Sequence, residues 1–296
     1  MTALPNAAIA PLPSAACYVP PPGACDCHCH VLGPYSSFPL AATHTYLAPE
    51  APVSQYLAML DQLGMSRGVL IQASVHGLDN SAMLCALDQA PSRLRGVAVV
   101  APETAARDLR ALRDRGVRGL RLSRLLKKDG SPMYQNTVDI SALPGLLPAM
   151  RDLELHAQLW ITLDQLRSLS PLIRTAGIPF VIDHMGRSDP SSGIADPDFR
   201  LMCELLSEGN LWVKLTPYRA SRQPPSYADV RPLYEHLIEI NPDRLVWGSD
   251  WPHVNMQEHS PDAGKLLDTL HAWTLDETTL RRILVDNPAT LYGFTA

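Results

Sequence analysis

The stretch ACDCHCHV, residues 24–31, packs three cysteines and two histidines into eight positions. Those side chains can ligate a metal, exchange disulfides or move protons, so their arrangement has to decide which. In an extended strand successive side chains alternate faces. Cys25, Cys27 and Cys29 would then share one side, and Asp26, His28 and His30 the other. The thiols become packing against neighbouring helices, and His28 and His30 become a polar pair at a strand end. The six cysteines form no paired CxxC knuckles, and in a chain of 296 residues buried free thiols are expected rather than a disulfide framework.

Other chemistry-bearing residues also lie at or just past short apolar runs. His184 stands in VIDHMGR, Asp250 in WGSDWPH, Arg121 in GLRLS, and Ser74 with His76 in QASVHG. Singly, each has an ordinary structural explanation, such as an aspartate that caps the next helix. Collected at one mouth, they give imidazoles, a carboxylate and a guanidinium in one region.

The elements that would collect them follow from periodicity. Apolar runs recur as CDCHCHV, RGVLIQAS, LRGVAVV, VRGLRLS, AQLWIT, PFVIDHMG, LWVKLT and DRLVWGSDW, alternating with helical patterns such as VSQYLAMLDQLG and DVRPLYEHLIEI. Gly64, Gly116 and Gly177 follow helical patterns as left-handed end residues would, and Asn80 and Asp164 stand where N-caps belong. Eight strand-helix units without a composition break predict one distorted (β/α)₈ TIM barrel over residues 24–296, preceded by a proline-rich arm at 1–23. A doubly wound sheet is the competing arrangement. In a barrel, strand C-terminal ends carry the chemistry.

Composition narrows the function. The formal net charge is −5, and no basic run exceeds the pair Lys127, Lys128, which excludes a nucleic-acid footprint. The N-terminal stretch lacks a secretory pattern and no apolar run is long enough to span a bilayer, so a cytoplasmic protein is expected, with monomer as the default.

DCHCHVLGP, QASVHGLDNS, VIDHMGR, WGSDWPHVNM and NPATLYGF, in this order, resemble the amidohydrolase superfamily, in the branch that holds the pyrone-dicarboxylate lactonases. The resemblance covers about residues 20 to 295. It implies a distorted barrel, Asp250 as general base for water, and His28, His30 and His184 around the scissile lactone carbonyl. It further implies that Tyr46, Ser74, His76, Arg121 and Arg219 hold substrate carboxylates or line the site. Lys127 falls where that branch carries an arginine, Arg124 is a neighbouring candidate, and Trp160 replaces a tyrosine.

Many superfamily members hold one or two divalent ions, and here the pattern departs. VRGLRLS supplies no bridging lysine or glutamate, and AQLWIT supplies no histidine. Metal-free hydrolysis of a small anionic lactone is therefore expected, with no cofactor required. A single zinc on His28, His30, His184 and Asp250 is the alternative, because three convergent ligands suffice. The competing functions are a sugar-lactone hydrolase or isomerase, a zinc-dependent decarboxylase, and a binding protein on a retired barrel. Aromatic-compound breakdown is what the resemblance implies for the setting.

Overall fold

The computed structural model describes residues 8–127, 129–256 and 260–295. Eight parallel strands follow chain order: β1 (Cys25–Cys29), β2 (Arg67–Ile71), β3 (Leu94–Ala98), β4 (Val117–Ser123), β5 (His156–Trp160), β6 (Phe180–Ile182), β7 (Leu211–Leu215) and β8 (Leu245–Trp247). The helices α1 (Val53–Gln62), α2 (Ser81–Gln89), α3 (Ala106–Asp114), α4 (Leu143–Asp152), α5 (Leu166–Thr175), α6 (Pro197–Ser207), α7 (Arg231–Ile240) and α8 (Ala263–Thr274) alternate with them. All eight apolar runs named above contribute a strand, and the architecture is a distorted (β/α)₈ barrel.

The distortion lies where the barrel closes. No continuous ladder joins β8 to β1; instead the Asp250 N–H donates to the His28 carbonyl at 2.7 Å and the His30 N–H to the Trp251 carbonyl at 2.9 Å. Ser249 reinforces the seam by donating its N–H and its hydroxyl to Asp26. Gly248 permits the close approach, since a Cβ there would stand 2.5 Å from the His28 Cβ and 2.8 Å from the His28 backbone nitrogen.

The barrel floor is apolar. Cys25, Cys27, Val69, Val97, Val181 and Val246, drawn from β1, β2, β3, β6 and β8, pack together inside it. Tyr292 and Phe294, at and beyond the end of a short C-terminal helix (Asn287–Tyr292), plug it from below. The strands' other faces join the helices in an outer core.

This corrects the expected facing of β1. Cys25 and Cys27 point inward with the floor, whereas Asp26 bonds the α1 residue Tyr56 and Cys29 belongs to the outer core. The register explains it: Asp26 pairs with Gly68 and Cys29 with Leu70, so β1 spends three steps where β2 spends two. That β-bulge inverts the alternation and turns His28 and His30 inward after two inward cysteines.

Gly64, Gly116 and Gly177 adopt positive φ of 69°, 98° and 70° as read from sequence. The cap readings hold less well. Asn80 precedes α2 but its side-chain Oδ1 accepts the Val99 N–H instead of a helix amide, and Asp164 lies inside a short 3₁₀ turn whose preceding residue is Thr162.

Ahead of β1, the chain crosses the outer face of α8. Ser14 donates twice to Asp262, the Cys17 and Tyr18 amides both donate to Asp268, and the Pro11 carbonyl accepts the Trp251 indole N–H.

Candidate active site

At the C-terminal end of the barrel a cavity opens, lined by His30, His184, Asp250, Arg121, Arg187 and Arg219 among others. Its shape depends on backbone that ordinary residues rarely adopt. His184, Met185 and Gly186 take successive φ of 55°, 52° and 62°, and Asp250 takes 57°. After β6 this left-handed run puts the adjacent residues Asp183 and His184 against the same interior. Such conformations collect where the surrounding packing over-determines them, which is common at sites of chemistry.

Asp250 is the hub. Its Oδ2 accepts the Tyr218 hydroxyl at 2.5 Å and the Arg219 Nε at 2.7 Å, while Oδ1 has no hydrogen-bond partner among the described residues. That bare oxygen lies 3.6 Å from the His28 Nε2 and 3.4 Å from the His30 Nε2. Burial raises the pKa of Asp250, but Arg219 and the neighbouring imidazoles hold it well below the usual carboxylate range. It is therefore an ionised base with one lone-pair oxygen free.

The three imidazoles are not equivalent. The His30 Nδ1 lies 2.8 Å from the Ile71 carbonyl, which can only accept, so the neutral ring presents a lone pair on Nε2. Neutral His30 thus suits holding a water, not donating to a carbonyl, and this separates it from the other two. His184 pairs its Nδ1 with the Thr216 hydroxyl at 2.8 Å, and burial pulls its pKa well below the ordinary value. His28 is wholly buried; burial first, then the Lys214 charge, pulls it down to about 3, so the ring is neutral.

Beneath the imidazoles lies a charged layer that sequence reasoning missed. The Asp183 Oδ2 accepts from the Arg121 Nε and Nη2 at 3.1 and 3.0 Å and from the Gln158 Nε2 at 3.1 Å. Lys214, fully buried on β7, donates to the Gln158 Oε1 at 2.8 Å and lies 3.6 Å from the Asp183 Oδ1. A lysine inside the apolar run LWVKLT was the available signal, because a buried cation requires a partner.

The remaining sequence candidates divide. Tyr46, Ser74, Arg121, Trp160 and Arg219 line the cavity. Trp160 lies between Tyr134, stacked at 4.7 Å, and the Arg121 guanidinium at 4.3 Å, with its indole N–H unpartnered. His76 does not line it; its Nδ1 faces the Pro39 carbonyl at 3.3 Å under the loop after β1. Arg124 is drawn away into a bidentate pair with Asp139 at 2.9 and 2.6 Å, and Lys127 is exposed on the loop after β4. Arg187, which is not among those candidates, does line the cavity, and among the described residues it makes no ion pair.

Three arginines, Arg121, Arg187 and Arg219, thus line the cavity beside one carboxylate, Asp250, with the Lys214–Asp183 pair beneath them, and the cavity carries an excess of two positive charges.

Two sets of three could gather around a metal ion: His28, His30 and Asp250, and His28, Asp183 and His184. The second is compromised because Asp183 is already bound by Arg121 and Gln158. The first fits one ion, since the His28 Nε2 and the Asp250 Oδ1 lack partners and lie at ligand-to-ligand spacing for zinc. Contrary to the sequence reading, the fifth strand does carry a histidine, but His156 stands at its lower end against Tyr292, away from the mouth.

The amidohydrolase family model matches residues 25–294. The chain belongs to this family. It is 37% identical over 276 residues to a 4-sulfomuconolactone hydrolase of Rhizobium radiobacter, covering 92% of this chain and 91% of that protein. It is 34% identical over 285 residues to a 2-pyrone-4,6-dicarboxylate hydrolase of Comamonas testosteroni, covering 92% and 90%. Among solved structures it resembles a probable 2-pyrone-4,6-dicarboxylic acid hydrolase from Acinetobacter baumannii with citric acid bound, at TM-score 0.79 and 30% identity over 92% of this chain and all of that one. Among the described residues, no helix is long and apolar enough to cross a membrane.

Proposed function

We propose that this amidohydrolase opens a small lactone bearing two acidic groups, carboxylate or sulfonate, in the breakdown of aromatic compounds. The observation that carries this reading is the cavity's two unbalanced positive charges beside an unpartnered carboxylate oxygen at its wall, the Asp250 Oδ1. A dianion neutralises the first, and water activation uses the second. Relatives whose names specify a sulfonated lactone and a pyrone dicarboxylate support the same class.

In the proposed reaction Asp250 takes a proton from a water also held by the His30 Nε2. The oxygen of that water bonds to the lactone carbonyl carbon, and charge develops on the carbonyl oxygen. His28 and His184 face it, and each N–H that strengthens as the charge grows contributes about 2.7 to 4 kcal/mol. Collapse breaks the bond to the ring oxygen, which receives the proton from Asp250, and the new carboxyl group ionises. Arg187 and Arg219 grip the acidic groups, with Tyr46, Ser74 and the Trp160 indole as neutral contacts.

No metal is required in this scheme. If a zinc ion were bound by His28, His30 and Asp250, it would supply Lewis acidity and a more acidic water.

The test is a panel of 2-pyrone-4,6-dicarboxylate, 4-sulfomuconolactone and neutral sugar lactones, assayed with and without chelator. Turnover confined to the dianions and insensitive to chelator is expected. Equal turnover of the neutral sugar lactones, or none of any lactone, overturns the reading, and loss on chelation restores zinc to the mechanism.

A further inference from the structure

Lys214 occupies the centre of the barrel, fully buried, and its ammonium has three neighbours: the Gln158 Oε1 at 2.8 Å, the His28 Nδ1 at 3.4 Å and the Asp183 Oδ1 at 3.6 Å. An ammonium carries three protons and no lone pair, so it can only donate. Gln158 takes one proton, and its orientation is fixed because its own amide N–H donates to the Asp183 Oδ2. The Asp183 Oδ1, at 3.6 Å, pairs with the ammonium by charge and not by a hydrogen bond. Another proton faces the His28 Nδ1, which accepts only when it carries no proton.

The opposite arrangement would have a protonated Nδ1 donate to the Asp183 Oδ1 at 3.4 Å, yet the two make no hydrogen bond, whereas Lys214 and Nδ1 do. It also sets an N–H against an ammonium proton in a fully buried space, where an unpaired charged donor is costly. With Nδ1 as acceptor, the neutral ring's single proton sits on Nε2. That nitrogen points toward Asp250 and has no partner of its own.

We propose that Lys214 is a positioning residue that holds His28 in its Nε2–H tautomer, so that the ring offers a donor to the reacting carbonyl. The catalytic consequence rests on the lactone reading above; the tautomer does not. A protonated Nε2 cannot ligate a metal, so the same contact turns the histidine pair of β1 away from zinc.

The test is a long-range 1H–15N spectrum of the full-length protein labelled at histidine, with the His28 signals assigned by their loss in His28→Asn. The expected wild-type spectrum shows His28 protonated at Nε2; protonation at Nδ1 overturns the proposal. In Lys214→Met the proton should move to Nδ1, kcat should fall by about 10- to 100-fold with KM little changed, and zinc added alone should bind about 10-fold more tightly. An unchanged tautomer in a folded Lys214→Met also overturns it. Should that variant not fold, the wild-type spectrum decides, and Lys214→Arg should keep the Nε2 proton. Because the spectrum needs no substrate, failure of the lactone assay and failure of this proposal are read separately.

Discussion

Asp183 and Asp250 are both buried carboxylates, both lie against an arginine, and both are held well below the usual carboxylate range although burial pushes each upward. They differ in surroundings. The Asp183 Oδ2 receives three hydrogen bonds, and its Oδ1, without a hydrogen-bond partner among the described residues, faces His28 and Lys214 in the barrel interior. Asp250 receives two, both on Oδ2, and its equally unpartnered Oδ1 lies beside two imidazoles on a residue that lines the cavity. A carboxylate sealed in beside a lysine and an arginine is a structural counter-ion, whereas one at the cavity wall can take a proton from water. The same residue type beside the same partner type thus serves opposite ends, and access to the cavity decides which.

That contrast breaks most sharply in paired variants. Asp250→Asn should lower kcat by about 1,000-fold, within the range for loss of a general base, with ligand affinity nearly unchanged. Asp183→Asn leaves Lys214 and Arg121 buried without their counter-charge and should cost about 3 to 5 kcal/mol of stability, read by denaturant titration. An Asp250→Asn enzyme that keeps most of its rate, or an Asp183→Asn protein as stable as wild type, erases the distinction.

The pH dependence sharpens it. A depressed pKa keeps Asp250 ionised far into acid, so the acid limb of kcat/KM should lie below the ordinary aspartate value of about 3.9. For folding the sign is the same: Asp250 contributes stability above its unfolded pKa and loses it as pH falls through the folded one. Arg219→Met removes the main opposing charge and should move the acid limb upward. A limb that stays in place would show that Arg219 does not set the strength of this base.

Smaller effects separate the arginines. Arg187→Met should raise KM for a dianionic lactone by about 10- to 100-fold, the worth of one charge-assisted hydrogen bond. Arg124→Ala, whose pair with Asp139 is half exposed, should change KM by less than about 2-fold. Equal effects would mean that the cavity does not select among the cations.

Strand positions and the His28, His30, His184 and Asp250 set were legible because alternation and strand-end placement are local signals. The β1 bulge was not, since one unpaired residue shifts facing without altering composition. Lys214 read as a polar interruption of LWVKLT, and Asp183 was overshadowed by the histidine beside it; each matters through partners from distant strands. Arg124 and Arg187 are chemically identical in sequence. Only the fold shows that Asp139 engages the first and leaves the second facing the cavity.

The surplus of positive charge at the mouth has a consequence after the ring opens. Hydrolysis converts a dianion into a trianion, so under the proposed reaction the product is attracted more strongly than the substrate it came from. Departure, not bond cleavage, then sets the ceiling on turnover at low ionic strength, and added salt should speed the enzyme at saturation while weakening its grip on dilute substrate.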